Sequence, residues 1–378
     1  MFVVFLTVFL LVFGAINFYL GSHILLWLHF LTPTISTSFF WLIYCLIAII
    51  AIFSQGMPYS KFSKTLKKFS NYWIGIFSYL ILTILFIDII HFILKVMQIQ
   101  PDFLSTKNGG IAVGAFVFLV VGCLVGYGIW NAKQIKMISY HITIDKPSIL
   151  NELKIVLVSD LHLGHVIGYK QMKNMVKKIN ALKPDMVVMA GDVFDGSYDA
   201  VEMPERIAEL FQTINSTFGT YAVLGNHDAG RSYAKMVSFF SEAGVKLLRD
   251  EVITIEESLT IIGRKDRTPI GEQGSKRKPI EELTIGVDHS KPVIVFDHQP
   301  NGIQDARQIQ ADLLLSGHTH KGQFTPGNLI TKNVFEIDYG HLKTGTLNTI
   351  VSSGFGTWGP PMRVTSNSEI VEINVQFQ

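Results

Sequence analysis

The sequence predicts four transmembrane helices followed by an α/β domain of layered β-sheets flanked by helices. Three observations predict this. The 378-residue chain is split in charge: residues 1–149 hold nine Lys, no Arg and three acids (Asp88, Asp102, Asp145), whereas residues 150–378 hold 23 basic and 27 acidic residues. Four long apolar stretches fill the first part, and in the second, apolar runs of strand length alternate with amphipathic stretches. A wholly soluble chain and a disordered one are excluded, as is a nucleic-acid binder with a broad basic surface, since the charged part is net negative. Cys45 and Cys123 lie inside apolar runs, so neither a disulfide framework nor a thiolate metal site is expected.

The apolar stretches are residues 2–20, 37–54, 72–94 and 110–131. At a rise of about 1.5 Å per residue they match a hydrocarbon core about 30 Å thick, the two shorter ones only just. The first has no basic start and no small-residue cleavage site, and it runs on into apolar sequence, so it reads as a retained helix and not as a signal peptide. Lys61, Lys64, Lys67 and Lys68 lie between the second and third stretches, and Lys133, Lys136 and Lys146 follow the fourth, while residues 21–36 carry no Lys or Arg. That bias predicts a multi-pass cell-membrane protein with both termini and the charged domain in the cytoplasm. Asp88 and His91 share one face of the third helix. With no other polar group in view to complete a relay, they read as a pair near the helix end reaching toward the headgroups.

Residues 132–152 are expected to be a linker, and residues 153–378 the folded domain. Strands are predicted at 153–158, 186–189, 221–224, 293–296 and 313–315, with helices at 169–182, 203–213 and 232–243 and closing strands at 350–353 and 370–375. The alternation is that of βαβ units. The basic, Gly-rich stretch 264–278 has no periodicity and reads as an exposed loop.

Chemistry is concentrated directly after the strands. In order, their ends read Ser159-Asp160-Leu161-His162, Gly191-Asp192-Val193-Phe194-Asp195, Gly225-Asn226-His227-Asp228, Asp297-His298 and Gly317-His318-Thr319-His320. Taken singly, each has an ordinary explanation as a turn, a helix cap or a structural histidine. Together they place carboxylate and amide oxygens with imidazoles where open α/β sheets gather ligands. That mixture suits a pair of divalent cations such as Mn²⁺, Fe²⁺ or Zn²⁺.

The series Asp160-x-His162, Gly191-Asp192-x-x-Asp195, Gly225-Asn226-His227-Asp228, His298 and Gly317-His318-x-His320 resembles the full signature of the calcineurin-like metallophosphoesterases. The tail Ser352-Ser353-Gly354-Phe355-Gly356-Thr357 with Pro361-Met362-Arg363 is similar to a bacterial, membrane-associated branch of phosphodiesterases and lipid-precursor pyrophosphatases. The resemblance implies that Asp160, His162 and His320 hold one divalent metal, that Asn226, His298 and His318 hold a second, and that Asp192 bridges them. A shared carboxylate suits cations held about 3.5–4 Å apart. It also implies that water activated between the metals attacks phosphorus in line, and that His227 steadies the transition state and protonates the leaving oxygen. Asp228 is expected to fix the His227 tautomer and raise its pKa, with Asp195 bracing the metal loops; His165 and His341 match no role and read as loop or pocket-rim histidines.

The expected function is membrane-anchored, metal-dependent hydrolysis of a phosphodiester or pyrophosphate, with lipids and lipid precursors among the candidate substrates. Membrane lipids are the expected neighbours, no nucleic-acid partner is expected, and the two metal ions are the only cofactors. An alternative of a different class is a catalytically silent membrane scaffold or sensor that binds metal and phosphate. His227 and Asp228 argue against it, because a binding module has no use for a proton donor.

Overall fold

The computed structural model describes residues 2–99 and 101–378. The chain divides into two compact units, Met1–Gly128 and Ile129–Gln378.

The first unit is built from α1 (Phe2–Leu31), α2 (Thr37–Phe53), α3 (Lys61–Val96) and most of α4 (Lys107–Asn131). All four helices are long and apolar enough to cross a membrane. Helix α1 continues past Leu20 to Leu31, because Gly21, Ser22 and His23 interrupt the hydropathy without interrupting the backbone hydrogen bonds. Helix α3 starts at Lys61, where the side chains of Ser60 and Ser63 each bond the other's backbone amide. The four lysines expected between helices are therefore on α3 itself.

The extension of α1 also changes the surroundings of Asp88. Tyr19 donates its hydroxyl to Asp88 Oδ2 at 2.6 Å, and His23 Nε2 lies 3.2 Å from the same oxygen. His91 lines the same cavity, of about 250 Å³. Asp88, expected to have no polar company beyond His91, thus has two partners on α1.

The second unit opens with β1 (Ile135–Ile144) and β2 (Glu152–Val158), then α5 (Tyr169–Leu182), β3 (Met186–Ala190), α6 (Pro204–Gln212), β4 (Thr220–Val223), α7 (Tyr233–Glu242) and β5 (Lys246–Leu247). It continues through β6 (Glu251–Ile255), β7 (Leu259–Gly263), α8 (Ile280–Leu283), β8 (Val293–Phe296), α9 (Ile303–Gln308) and β9 (Leu313–Ser316). Helix α10 (Gly327–Val334), β10 (Gly340–Thr344), β11 (Leu347–Val351) and β12 (Ser368–Phe377) complete it. These strands form two six-stranded sheets, in the orders β1-β12-β2-β3-β4-β5 and β10-β11-β9-β8-β7-β6.

Period-two alternation in strands buried on both faces explains the layering. Ile155 and Leu157 of β2 join Val188, Ile261, Phe296 and Leu315 in a core between the sheets. Their neighbours Val156 and Val158 face the other way, onto Met175, Phe211 and Phe239 of α5, α6 and α7. A third core packs α8 and α9 on the outer face of the second sheet, with Val295 and Leu314 meeting Ile280 and Ala306. The order of layers is helices, sheet, sheet, helices.

Most of the stretch expected as a linker belongs to this fold. Strand β1 runs parallel to β12 in continuous register from Ile135 opposite Ser368 to Ile144 opposite Phe377. Ile138, Tyr140, Ile142 and Ile144 alternate with Ser139, His141 and Thr143, which is the strand pattern, and Ile142 and Ile144 are buried between the sheets. Just before it, Asn131 Nδ2 donates to the carbonyls of Arg363 at 3.0 Å and Ser366 at 2.9 Å.

Candidate metal centre

The expected ligands follow β2, β3 and β4 of one sheet and β8 and β9 of the other, and the fold brings all seven together. His162 Nε2 and His320 Nε2 are 3.0 Å apart, and His320 Nε2 is 3.3 Å from Asp160 Oδ1. On the other side, His298 Nε2 lies 3.2 Å from Asn226 Oδ1 and 3.3 Å from His318 Nδ1. Asp192 Oδ2 connects the two sets, at 3.2 Å from His298 Nε2 and 3.8 Å from His162 Nε2. The donor atoms of Asp160, His162 and His320 form one group within 4.8 Å of one another, and those of Asp192, His298 and His318 form a second.

The backbone is bent to achieve this. Asp160 (φ 53°), His162 (φ 50°), Asp192 (φ 51°), His318 (φ 73°) and His320 (φ 50°) all adopt the left-handed region that non-glycine residues rarely occupy. Such strain gathers where side chains must be aimed at a common point. Close approach is also needed, since a Cβ on Gly225 would overlap the Asp192 carboxylate.

Hydrogen bonds and charge set the ligand states. His298 Nδ1 bonds the Ala190 carbonyl at 2.8 Å; a carbonyl can only accept, so Nδ1 carries the proton and Nε2 faces Asp192 and Asn226. Burial opposes charge on His298, but attraction to Asp192 and a hydrogen bond that its carboxylate accepts raise the pKa well above the ordinary imidazole value. His162 is raised in the same way, with burial opposed by the Asp195 carboxylate 3.3 Å from its Nδ1 and by Asp192. Burial, followed by the charge of His298, brings His318 down to about 4. His320 is also brought to about 4, by burial and with help from the Arg363 charge. Against their own burial, Asp160 is held well below the usual carboxylate range by His320, and Asp192 by His298. Nitrogen and oxygen donors of this kind, with no thiolate, fit divalent Mn, Fe or Zn.

The two catalytic candidates behave differently from expectation. His227 lies beside the first group, its ring centroid 5.1 Å from that of His162, with its backbone amide on Asp192 Oδ1 at 2.8 Å. Asp228, however, does not serve it. The Asp228 carboxylate accepts from the amides of Phe194 at 2.7 Å, Gly225 at 2.9 Å and Val193 at 3.1 Å, so it ties together the loops that carry Asp192 and Asn226. Burial and then repulsion from Asp192 push its carboxyl up to about 7. The carboxylate whose oxygen groups with the His227 and His162 ring nitrogens is Asp195. Burial lowers the His227 pKa, where a raised value was expected. His341 stands on β10, where its Nε2 is 3.0 Å from Asn348 Oδ1.

Two further contacts were not anticipated. Stretch 264–278 is the irregular, largely exposed loop expected, but it is also strapped across the Asn226–Asp228 loop. Ile270 N donates to Asn226 O at 2.8 Å and Gln273 Nε2 to Gly225 O at 2.6 Å, while Arg277 grips Asp297, next to His298, through both carboxylate oxygens at 3.0 and 2.6 Å. Its polar residues lack periodicity because they bind loops and form no regular element of their own. Arg363, fully buried, places Nη2 3.0 Å from His320 Nδ1 and also donates to Gly354 O and Gly356 O. A guanidinium has no acceptor, so it disfavours a proton on Nδ1 and keeps the ring neutral. The only sequence signal for this was an arginine in the Gly- and Pro-rich tail.

Residues 153–322 match the calcineurin-like phosphoesterase family. A metallophosphoesterase of Aquifex aeolicus (strain VF5) is 34% identical over 266 residues, covering 69% of this chain and 98% of that protein. One from Helicobacter pylori (strain J99) is 30% identical, covering 72% and 74%. A transmembrane protein with a metallophosphoesterase domain from Danio rerio is 29% identical, covering 71% and 64%.

Proposed function

The chain belongs to the calcineurin-like phosphoesterase family, and from that premise we propose that it is a membrane-anchored hydrolase of a phosphodiester or pyrophosphate, dependent on two divalent metal ions. The observation that carries this reading is the position of Asp192 Oδ2 between two sets of donors. Asp160, His162 and His320 would hold one ion, Asn226, His298 and His318 the other, and Asp192 both. Bound there, the ions would supply Lewis acidity toward the phosphoryl oxygens and an acidified water.

The remaining work belongs to the chain's own side chains. His298 keeps its proton on Nδ1, against Ala190 O, so that Nε2 is free to coordinate. His227, lowered by burial, is neutral before substrate arrives. An anionic phosphoryl group beside it raises its proton affinity, so the proton is taken up with the substrate and passed to the leaving oxygen. Asp195 orients the His162–His227 pair, and Asp228 holds the Asp192 and Asn226 loops in register.

The lysine bias supports a multi-pass arrangement with the charged domain in the cytoplasm, and the four helices support a lipid phosphoester as substrate. The test is turnover by the purified full chain in lipid nanodiscs, loaded with Mn²⁺, against a panel of soluble and lipid phosphodiesters and pyrophosphates. Hydrolysis that tracks metal content is expected. Two bound ions per chain with no turnover on any ester would favour the silent scaffold. A reporter fused after Gln378 should behave as cytoplasmic, and one inserted within residues 32–36, between α1 and α2, as external.

A further inference from the structure

Helix α10 shows its apolar side chains to solvent. Of its eight residues, Leu329, Ile330 and Val334 are 56, 59 and 65% exposed. A helix of a globular domain ordinarily turns such a stripe to the core. Here a polar side faces inward: Thr331 Oγ1 donates to Asp338 Oδ2 at 2.8 Å, and Asp338 O accepts from Thr319 Oγ1 at 2.5 Å. Thr319 stands between His318 and His320, so α10 is fastened to the ligand turn and its hydrocarbon is left outward.

Its position relative to the metal centre is close and fixed. Phe335, which follows the helix, meets the His318 ring edge-on at 5.9 Å between centroids. Gly322 (φ 69°) has no room for a Cβ because the backbone of Gly327 and Asn328, in the first turn of α10, occupies that space. On the same turn, Gln323 holds Trp358 at both backbone groups, accepting from its N–H at 3.2 Å and donating to its carbonyl at 3.0 Å. Trp358 is itself 49% exposed. An indole and three branched aliphatic chains are thus carried, exposed, on segments fastened to the turn that holds His318 and His320.

We infer that α10 and Trp358 form a subsite for the hydrocarbon portion of an amphiphilic phosphoester whose phosphoryl group sits at the metal centre. The inference rests on the phosphoesterase reading and adds to it the place where the hydrocarbon of such a substrate is held. A phosphorus atom held by His318 and its partners puts its own substituent, and not an unrelated partner, within reach of this rim. Each methylene that a substrate buries there is worth about fourfold in kcat/KM. Lys332, exposed on the same helix, gives an anionic headgroup no repulsion.

The test compares p-nitrophenyl methyl phosphate with p-nitrophenyl octyl phosphate, below its aggregation threshold, using the Mn²⁺-loaded full chain in nanodiscs. The wild type should prefer the octyl ester by about tenfold or more in kcat/KM, a part of what the added methylenes could supply. In the triple variant Leu329→Ser, Ile330→Ser, Val334→Ser that ratio should fall to within about twofold of one, and Trp358→Ala should lower it partway. A wild type without preference overturns the inference, as does a triple variant that loses both rates in proportion and keeps the ratio. A change in the variant's oligomeric size with the octyl preference intact also overturns it, in favour of a self-association face. Hydrolysis of neither ester by the metal-loaded wild type overturns the parent reading and the subsite with it.

Discussion

Asp192 Oδ2 and His298 Nε2 face each other at 3.2 Å, and that oxygen is also the point from which the His162 side of the centre is reached. One substitution therefore acts on both donor sets. Asp192→Asn should reduce bound metal from two ions to fewer than one per chain by elemental analysis. Turnover should fall by more than the about 10–100-fold that loss of a supporting residue costs. A variant retaining both ions and wild-type kcat would mean that the carboxylate is not shared.

If His298 and His162 are ligands, their elevated pKa values would make metal binding a proton-releasing reaction. In the metal-free protein their charged forms stabilise the fold fully below the unfolded imidazole value, and this contribution is lost as pH rises through the raised folded value. Metal coordination needs the deprotonated nitrogen, so affinity grows over the same rise. The gain in Tm on adding Mn²⁺ should be larger at pH 8 than at pH 6, and calorimetry in buffers of different ionisation enthalpy should register released protons. A gain in Tm independent of pH would show that these imidazoles are not ligands.

His227 and Asp228 are adjacent in sequence but should fail in different ways. His227→Ala should lower kcat by about 10²–10⁴-fold, least for activated leaving groups, with metal content and Tm intact. Asp228→Ala strands three buried amides, each costing about 1–3 kcal/mol, and should appear first as a large loss of Tm. Metal loss in the His227 variant would reassign that residue as a ligand.

Arg277→Met leaves Asp297 buried without its bidentate partner, a loss of about 3–5 kcal/mol in comparable pairs. Because Asp297 precedes His298, metal affinity should weaken alongside stability. Thermal melts with and without Mn²⁺ separate the two, and equal melting of variant and wild type in both states would remove the strap from the account of the site.

The candidate ligand set was legible because each motif is local: a strand, a tight turn and a donor within a few residues. Which donors meet across strands could be expected only through family resemblance, and the distances came from the fold. Asp228 could not be assigned from its neighbour in sequence, since its three bonds depend on where the Val193–Phe194 and Gly225 loops come to rest. Arg363 acts on His320 from a distant tail, and no period or spacing marks that contact. Strand β1 is another case, because Ile138 through Ile144 alternate clearly but were overshadowed by the lysines that bracket them. In the apolar unit, Asp88 and His91 were visible as a pair, but Tyr19 and His23 entered only through the rotation of α1 against α3.

The register of β1 on β12 also bears on the order in which the protein is made. Residues 135–144 leave the ribosome early, yet their partner, residues 368–377, emerges more than two hundred residues later. Until then β1 has no neighbour, and β2, which leads directly to Asp160, lacks the antiparallel strand that flanks it in the finished sheet. Pairing over such a sequence separation is slow, since loop closure must precede any reward. A nascent chain stalled before residue 368 should therefore be open to proteolysis along its first sheet, with the geometry around Asp160 unformed until translation has passed β12.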